Sequence, residues 1–161
     1  MKVFHGSTIV IKQPLAAAGR KMLDFGQGFY VTDIKQQAES WAERMQRIKM
    51  ENGIVNVYEL DLEKVKADYS YYKFENYDLD WLQFIVANRI GRTDVKKYDV
   101  VEGGVANDRV IDTVEAYMAN MMTLETALGE LSKHKPNNQL CITKQIVIDT
   151  CMTFVESYRI G

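Results

Sequence analysis

Cysteine, histidine and proline are scarce in this chain of 161 residues, which has two of each. Two cysteines, Cys141 and Cys151, are too few for a disulfide framework or for the ligand cluster of a metal site. We expect both to be buried, unreactive thiols. No metal site is expected.

Long apolar runs and an excess of one charge are also absent. No stretch reaches the roughly 20 apolar residues that span a membrane, and the first residues lack the apolar region of a secretory signal. The 22 acidic and 20 basic residues give a net charge of −2, without the basic block typical of dedicated nucleic-acid-binding proteins. We therefore expect a cytoplasmic protein without membrane contact, of one domain spanning 1–161.

Apolar periodicity predicts strands and helices mixed along the chain, which indicates an α+β fold. The predicted strands are 3–4, 9–11, 29–32, 54–60, 98–102 and 139–142, with a strand or ribbon in 66–77. The predicted helices are 34–48, 81–90, 109–119, 123–133 and 144–154. The expected helix caps are Asp33, Asp80, Thr143 and either Asn107 or Asp108.

Two short motifs and one late residue stand out as candidates for chemistry. His5-Gly6-Ser7 is predicted to break an early strand, and 25–30 places two glycines before an aromatic strand. Those glycines let the backbone approach a flat group or turn tightly, and a β-bulge or hairpin is the plain alternative. Gln139 follows much later, as a polar residue at a strand edge.

In this order the motifs resemble the His-Tyr-Glu branch of the ADP-ribosyltransferase superfamily, which includes poly(ADP-ribose) polymerases and diphtheria-toxin-like enzymes. The resemblance implies split antiparallel β-sheets with flanking helices, and NAD⁺ as the co-substrate. A narrower resemblance is to an uncharacterised bacterial family of small cytosolic proteins of this superfamily. It covers segments 5–7, 19–20, 24–32, 81–84, 101–108 and 137–139.

The resemblance implies a role for five residues. Tyr30 and Trp41, eleven residues apart, would clamp the nicotinamide ring, since a pyridinium stacks favourably on aromatic faces. His5 would bond a ribose hydroxyl of the adenosine half. Gly6 would pair its N–H and C=O with the carboxamide, and Gln139 stands where the catalytic glutamate is expected. For Trp41 the structural alternative is a core residue that packs its helix on the sheet.

Five further positions complete the expected NAD⁺ contacts. A hydroxyl for the carboxamide is either supplied by Ser7 or missing, and Phe25 and Gly28 belong to the glycine motif. Arg20 and Asp24 flank that motif and could reach the pyrophosphate or a substrate group. Arg20 is equally interpreted as a surface charge, and Asp24 as a turn residue that bonds its own backbone.

Two departures from the family pattern limit the expected chemistry. Ala38 stands where many members have a serine that binds the carboxamide. Gln139 lacks the negative charge that would stabilise an oxocarbenium-like transition state, although its amide can still orient the 2′-hydroxyl of the reacting ribose. We therefore expect transfer of a single ADP-ribose, or slow NAD⁺ hydrolysis, rather than chain elongation. An inactive NAD⁺-binding relic stays open.

The resemblances also imply partners. The narrower one implies the toxin of a bacterial toxin–antitoxin pair, with a small cognate antitoxin protein and an acceptor of ADP-ribose that is a protein or a nucleic acid. The alternative is a non-catalytic NAD⁺-binding or interaction module with the same fold. A relative of the RNA 2′-phosphotransferases is less favoured, because no dense set of Arg and Lys accompanies the histidine and tyrosine motifs.

Overall fold

A computed structural model describes residues 1–106 and 108–161, with Asp108 described by its backbone alone. The strands are β1 Lys2–Ser7, β2 Phe29–Val31, β3 Ile54–Leu60, β4 Tyr71–Lys73, β5 Val100–Gly103, β6 Gln139–Ile142 and β7 Met152–Arg159. The α-helices are α1 Lys35–Lys49, α2 Leu62–Asp68, α3 Leu79–Arg89, α4 Asp108–Met118, α5 Leu124–Leu131 and α6 Gln145–Cys151. The α+β prediction is confirmed. No helix in the described residues is long and apolar enough to cross a membrane.

The strands form two sheets. The first has the order β1-β3-β7 and is antiparallel throughout. The second has the order β2-β6-β5-β4, in which β4 and β5 run parallel. The parallel pair follows from the connection, because α3 lies between these strands in the chain and a parallel neighbour needs such a crossover. The sheets are thus mostly, and not wholly, antiparallel.

A short bridge joins the two sheets. Phe4 of β1 and Thr32, just after β2, exchange both backbone hydrogen bonds, with N–H···O distances of 2.8 and 2.9 Å. In the described residues this antiparallel bridge stands alone between β1 and the second sheet. The sheets therefore part on the side of His5 and Tyr30.

Alternate residues along each strand pack in different hydrophobic cores, because successive side chains point to opposite faces of the sheet. Val3, Tyr58 and Leu60 pack against the inner face of the second sheet and α6. The opposite face of the second sheet packs on α3, α4 and α5, with Trp81 and Leu82 buried there. Burying one such aliphatic or aromatic side chain contributes about 1.5–3 kcal/mol.

Small residues bring α1 close to the first sheet. Ala38 and Ala42 are fully buried, in one cluster with Phe4 and with Val55 and Val57 of β3. A Cβ added at Gly6 would lie 2.2 Å from the Ala38 carbonyl oxygen, so glycine is required for this approach. The apolar stripe expected along the helix is narrower than predicted, since Ile48 is 65% exposed.

Two early predictions were wrong in detail. Strand β1 continues through Ser7, so the His5-Gly6-Ser7 motif does not break it. Residues 9–11 are not a strand. Their backbone bonds to side chains of β3 instead: Asn56 accepts from the Ile11 N–H at 2.9 Å, and the Tyr58 hydroxyl donates to the Ile11 carbonyl at 2.6 Å. The segment is therefore held down without being part of a sheet.

The helix starts also differ from expectation. The N-cap of α1 is Ile34, without a side-chain bond, while Asp33 accepts a hydrogen bond from the Asn138 amide at 3.0 Å. Helix α3 starts at a cap from Asp78, which replaces Asp80. A cap by Asn107 or Asp108 lies outside what the structure describes.

Near the C-terminal end, Thr143 does not cap α6. Its hydroxyl donates to the Tyr98 carbonyl at 2.7 Å, in the segment just before β5. Residues 152–154, predicted as helix, begin strand β7 instead. Helix α2, which occupies the start of the tyrosine-rich segment, was not predicted.

Candidate functional site

A cavity of about 520 Å³ lies where the two sheets part. Its size is typical of small-molecule sites, which measure about 300–1,000 Å³. Seven residues expected at the site line it: His5, Arg20, Asp24, Gly28, Tyr30, Trp41 and Gln139. The remaining wall is Ile11, Leu15, Ala18, Gly19, Leu23, Phe29 and Arg89. Gly6, Ser7 and Phe25 are not in this lining.

His5 lies at the point where the sheets separate. In an antiparallel ladder, the next pair after the Phe4–Thr32 bridge to exchange both bonds would be Gly6 with Tyr30. That pair does not form, because the His5 ring takes its place. Nδ1 of His5 lies 2.6 Å from the Tyr30 carbonyl oxygen. The histidine side chain therefore holds the opening between β1 and β2.

The protonation of His5 follows from its surroundings. A carbonyl oxygen only accepts, so Nδ1 carries the hydrogen and Nε2 of the neutral ring is an acceptor. Burial lowers the pKa of His5 below its ordinary value, and the hydrogen bond to Tyr30 opposes this in part. The ring also stacks on Phe29, with centroids 4.5 Å apart. His5 is thus a fixed, neutral acceptor, suited to a ligand hydroxyl.

The backbone of Gly6 faces the opening. In β1 the N–H and C=O of alternate residues point to the same side, so those of Gly6 point as Phe4's do, away from β3. Neither group has a backbone partner there among the described residues. A strand edge with one such donor and one acceptor matches the two polar ends of a primary amide.

The Tyr30 hydroxyl bonds to the backbone of the glycine loop, the segment 25–28 that precedes β2. It donates to the Gly26 carbonyl at 2.5 Å and accepts from the Phe25 N–H at 3.1 Å. Burial raises the pKa of Tyr30 far above its ordinary value, so the phenol keeps its proton. The hydroxyl is engaged within the protein, and the Tyr30 side chain packs beside the core that holds Trp81 and Leu82. Tyr30 also contributes to the cavity lining.

Gln139 is the unusual polar group of the cavity. It is 3% exposed, and its Nε2 has no hydrogen-bond partner in the described part of the chain. Leaving a buried donor unpaired costs about 1–3 kcal/mol. The expectation of a strand-edge residue was wrong, because β6 lies between β2 and β5. A ligand oxygen at this wall would complete the amide's hydrogen bonding.

Trp41 is held at the cavity and does not belong to the core. It is half-buried, and none of the buried clusters formed by the described residues includes it. Its helix packs on β1 through Ala38 and Ala42, one on either side of it in sequence. The close contact at Gly6 therefore fixes where the tryptophan lies.

Asp24 has a structural partner that the sequence did not reveal. Its Oδ1 accepts from Nε of Arg89 at 2.7 Å, and one terminal nitrogen of that guanidinium lies 2.6 Å from the same oxygen. Its Oδ2 accepts from the Ala106 N–H at 3.0 Å. Both charged side chains line the cavity. No local pattern marks a pair 65 positions apart, so Arg89 was missed.

The other expected contacts have different surroundings. Arg20 is exposed at the cavity wall. The Phe25 side chain is 3% exposed and packs in the core beside Phe74. Ser7 accepts a long 3.4 Å bond from the Ile9 N–H, which stabilises the following turn. The Phe25 side chain is therefore taken up by the core, and Ser7 lies outside the cavity lining.

Two glutamine side chains fix the segment 14–19, the N-terminal wall of the cavity, by hydrogen bonds. Gln145 of α6 accepts from the Ala16 N–H at 2.9 Å and donates to the Pro14 carbonyl at 3.0 Å. Gln27 donates to the Ala17 and Gly19 carbonyls at 3.0 and 2.8 Å. The apolar residues of this wall are thereby placed opposite His5 and Tyr30.

Both cysteines are buried, as expected. Cys141 of β6 is paired in register with Tyr30 of β2. Burial raises the pKa of its thiol to about 12. A protonated, enclosed thiol is a poor nucleophile, so Cys141 has a packing role beside the cavity.

Together these groups can bind a large, partly flat, polar ligand. The wall offers three aromatic residues, a neutral imidazole, an unpaired amide and two guanidinium groups. Its carboxylate, Asp24, already accepts from Arg89 and Ala106, so it is not available as a general base.

The chain was compared with protein families, curated proteins and solved structures. A family model described as "Protein of unknown function (DUF3990)" matches residues 1–154. No curated protein and no solved structure matches the chain.

Proposed function

The chain belongs to that DUF3990 family, whose description gives no activity, and we propose its function from its own cavity. It is a mono-ADP-ribosyltransferase that binds NAD⁺ between the two sheets and transfers one ADP-ribose to a macromolecule. The fold would be the split-sheet ADP-ribosyltransferase fold that the sequence motifs resemble.

One observation carries the proposal: the unpaired, buried amide of Gln139 lines the same cavity as His5, Tyr30 and Trp41. These residues come from distant parts of the chain. The motifs proposed for NAD⁺ thus converge on a cavity with an incomplete hydrogen bond. That convergence is what a binding site for a multipart ligand requires.

Each group has a role that its geometry supports. The nicotinamide ring stacks between Tyr30 and Trp41, and its carboxamide pairs with the N–H and C=O of Gly6. Nε2 of His5 accepts from a hydroxyl of the adenosine ribose. The Gln139 amide orients the 2′-hydroxyl of the reacting ribose as the bond to nicotinamide breaks.

Because position 139 is a glutamine and not a carboxylate, we expect the reaction to be slow and limited. A neutral amide stabilises a developing positive charge less than an acid does. We therefore propose transfer of single ADP-ribose units, or slow hydrolysis, and no chain elongation. The setting that fits such a modifier is the cytoplasm of a bacterium, as the toxin of a toxin–antitoxin pair. Its acceptor is a protein or nucleic acid, and a small antitoxin protein neutralises it.

The test begins with binding. Calorimetric titration with NAD⁺ is expected to show one site, and the His5→Ala/Tyr30→Ala double variant is expected to lose it. A fold check by circular dichroism accompanies the variant. Wild-type-like titration of the folded double variant would overturn the site assignment.

Turnover is tested separately. The protein is incubated with labelled NAD⁺ and a bacterial lysate, and labelled macromolecules and free nicotinamide are measured. We expect label on one class of acceptor, and Gln139→Ala is expected to abolish it while the protein stays folded. Equal labelling by that variant would move the catalytic role elsewhere.

A second candidate is a non-catalytic NAD⁺-binding or interaction module. The glutamine in place of a carboxylate favours it, because Gln139 can bind a ribose without activating it. NAD⁺ binding without nicotinamide release, with purified protein and with lysate, would decide for this alternative.

A further inference from the structure

Asp24 and Arg89 form a charged pair in the cavity wall. Their side chains are 12% and 23% exposed, and both guanidinium contacts are made to one carboxylate oxygen. Asp24 directly precedes the glycine loop, whereas Arg89 is the last residue of α3. The pair therefore joins two separate parts of the wall.

Asp24 has little capacity left for a ligand. Besides Arg89, its carboxylate accepts from the Ala106 N–H, and its backbone carbonyl accepts from the Asn88 amide at 3.2 Å. A carboxylate with these partners would also repel an anionic ligand. Its function at the cavity is to hold Arg89.

Arg89 keeps donors for a ligand. A guanidinium has five N–H groups in a planar fork, and at most two of those of Arg89 face Asp24. Arg20 is a second cation on the wall. The charged side chains that line the cavity, Arg20, Asp24 and Arg89, sum to +1, although the whole chain carries −2.

We propose that Arg89, positioned by Asp24, binds a phosphate group in the cavity and makes the site selective for ligands that carry a diphosphate. The planar fork of arginine matches phosphate oxygens, and a hydrogen-bonded partner fixes its orientation. The identity of the whole ligand, NAD⁺, rests on the proposed function. The anion site concerns the diphosphate alone.

The competing interpretation is a structural one, in which the pair only fastens the glycine loop to α3. The two interpretations differ in which ligands they affect. Loss of a fastening disturbs the cavity for every ligand. Loss of a phosphate-binding residue weakens phosphorylated ligands selectively.

The experiment compares ADP-ribose with adenosine, which lacks the phosphates, by calorimetric titration of the full-length protein. Arg89→Gln is expected to weaken ADP-ribose binding about 10- to 100-fold, the range of one charge-assisted hydrogen bond. Adenosine binding is expected to change less than about 3-fold. Arg89→Lys keeps the charge without the fork and is expected to fall between.

Arg92→Gln is the matched control. Arg92 is also a paired arginine beyond the end of α3, but it bonds exposed Asp94 and lies outside the cavity. It is expected to bind both ligands as the wild type does. If Arg89→Gln weakens both ligands equally, or neither, the proposal is overturned.

Two measurements on the wild-type protein test the proposal without any variant, so misfolding of a variant does not affect them. Raising the salt concentration is expected to weaken ADP-ribose binding and leave adenosine binding nearly unchanged, since charged contacts are screened. Inorganic pyrophosphate is expected to compete with ADP-ribose. Salt-independent binding of ADP-ribose without competition would contradict the anion site.

The outcome also separates this inference from the proposed function. Arg89-dependent binding of ADP-ribose and pyrophosphate without NAD⁺ cleavage would support the anion site and overturn the transferase. NAD⁺ cleavage with unchanged ADP-ribose affinity in Arg89→Gln would support the transferase and overturn the anion site.

Discussion

Nδ1 of His5 donates a hydrogen bond to the Tyr30 carbonyl oxygen at 2.6 Å. The two residues thereby connect the sheets through a side chain, at the place where a backbone bond from Gly6 would otherwise close them. The same contact fixes the His5 tautomer and exposes an unpaired strand edge. One hydrogen bond thus shapes both the opening and the polar groups around it.

The stability of the protein is expected to fall in mild acid because of His5. Its pKa is lowered in the folded state, whereas an unfolded histidine titrates near about 6.5. Below that pH the unfolded state binds more protons, so the contribution is present above about 6.5 and is lost as the pH falls through the folded pKa. Urea unfolding at a series of pH values between about 5 and 7.5 measures this effect.

His5→Asn is the control for this prediction. Its amide can donate to the Tyr30 carbonyl but does not titrate. Its unfolding free energy is expected to depend less on pH than that of the wild type. Identical pH profiles for the two proteins would show that His5 is not responsible.

Tyr30→Phe is expected to destabilise the glycine loop. The change leaves the Phe25 N–H and the Gly26 carbonyl without their partner, at a cost of about 1–3 kcal/mol. Urea denaturation measures it. Tyr98→Phe is the matched control, because the Tyr98 hydroxyl has no protein partner in the described residues. Equal stability of the two variants would contradict the role of the hydroxyl.

Gln139→Met is expected to stabilise the protein and to abolish NAD⁺ binding. The unbranched thioether fills the same space and removes the unpaired buried donor, which should raise the unfolding free energy by about 1 kcal/mol. Gln145→Met is the contrasting control, since that amide is satisfied by Ala16 and Pro14, and it is expected to destabilise. A less stable Gln139→Met would mean that the amide is already paired.

Trp41→Ala is expected to weaken NAD⁺ binding about 10-fold with little effect on stability. The ring lies outside the buried clusters, and loss of one stacking partner costs about 1–3 kcal/mol. Fluorescence gives a direct measurement, because the other tryptophan, Trp81, is fully buried and only Trp41 should be quenched by ligand. Ile48→Ala, on the same helix but 65% exposed, should behave as the wild type. Ligand quenching that persists in Trp41→Ala would count against the assignment.

The sequence predicted the elements whose signals are local. Strands β3 and β6 consist largely of apolar residues, three of which in β3 are β-branched, and both strands lie where expected. The first residues of strand β7, 152–154, were predicted as the end of α6, because the helical spacing of apolar residues runs on to Phe154. What ends the helix there is pairing with β3, which no local pattern shows.

The candidate site was also predicted only in part. The resemblance gave His5, Tyr30, Trp41 and Gln139, and all four line one cavity. Arg89 was missed because its partner, Asp24, is joined to it only by the tertiary fold. The sequence did not show that Gly6 is also required for the close packing of α1 on β1, because that contact is with Ala38 and Ala42, more than 30 positions away.

The hydrogen bonds between Gln145 and the segment around Ala16 have a consequence for the synthesis of the protein. The two partners are 129 positions apart, so a ribosome makes the N-terminal wall long before the side chain that fixes it. A nascent chain therefore carries His5 and Tyr30 without a finished cavity. Any activity that needs the complete cavity therefore begins late in translation, when α6 folds against the N-terminal segment.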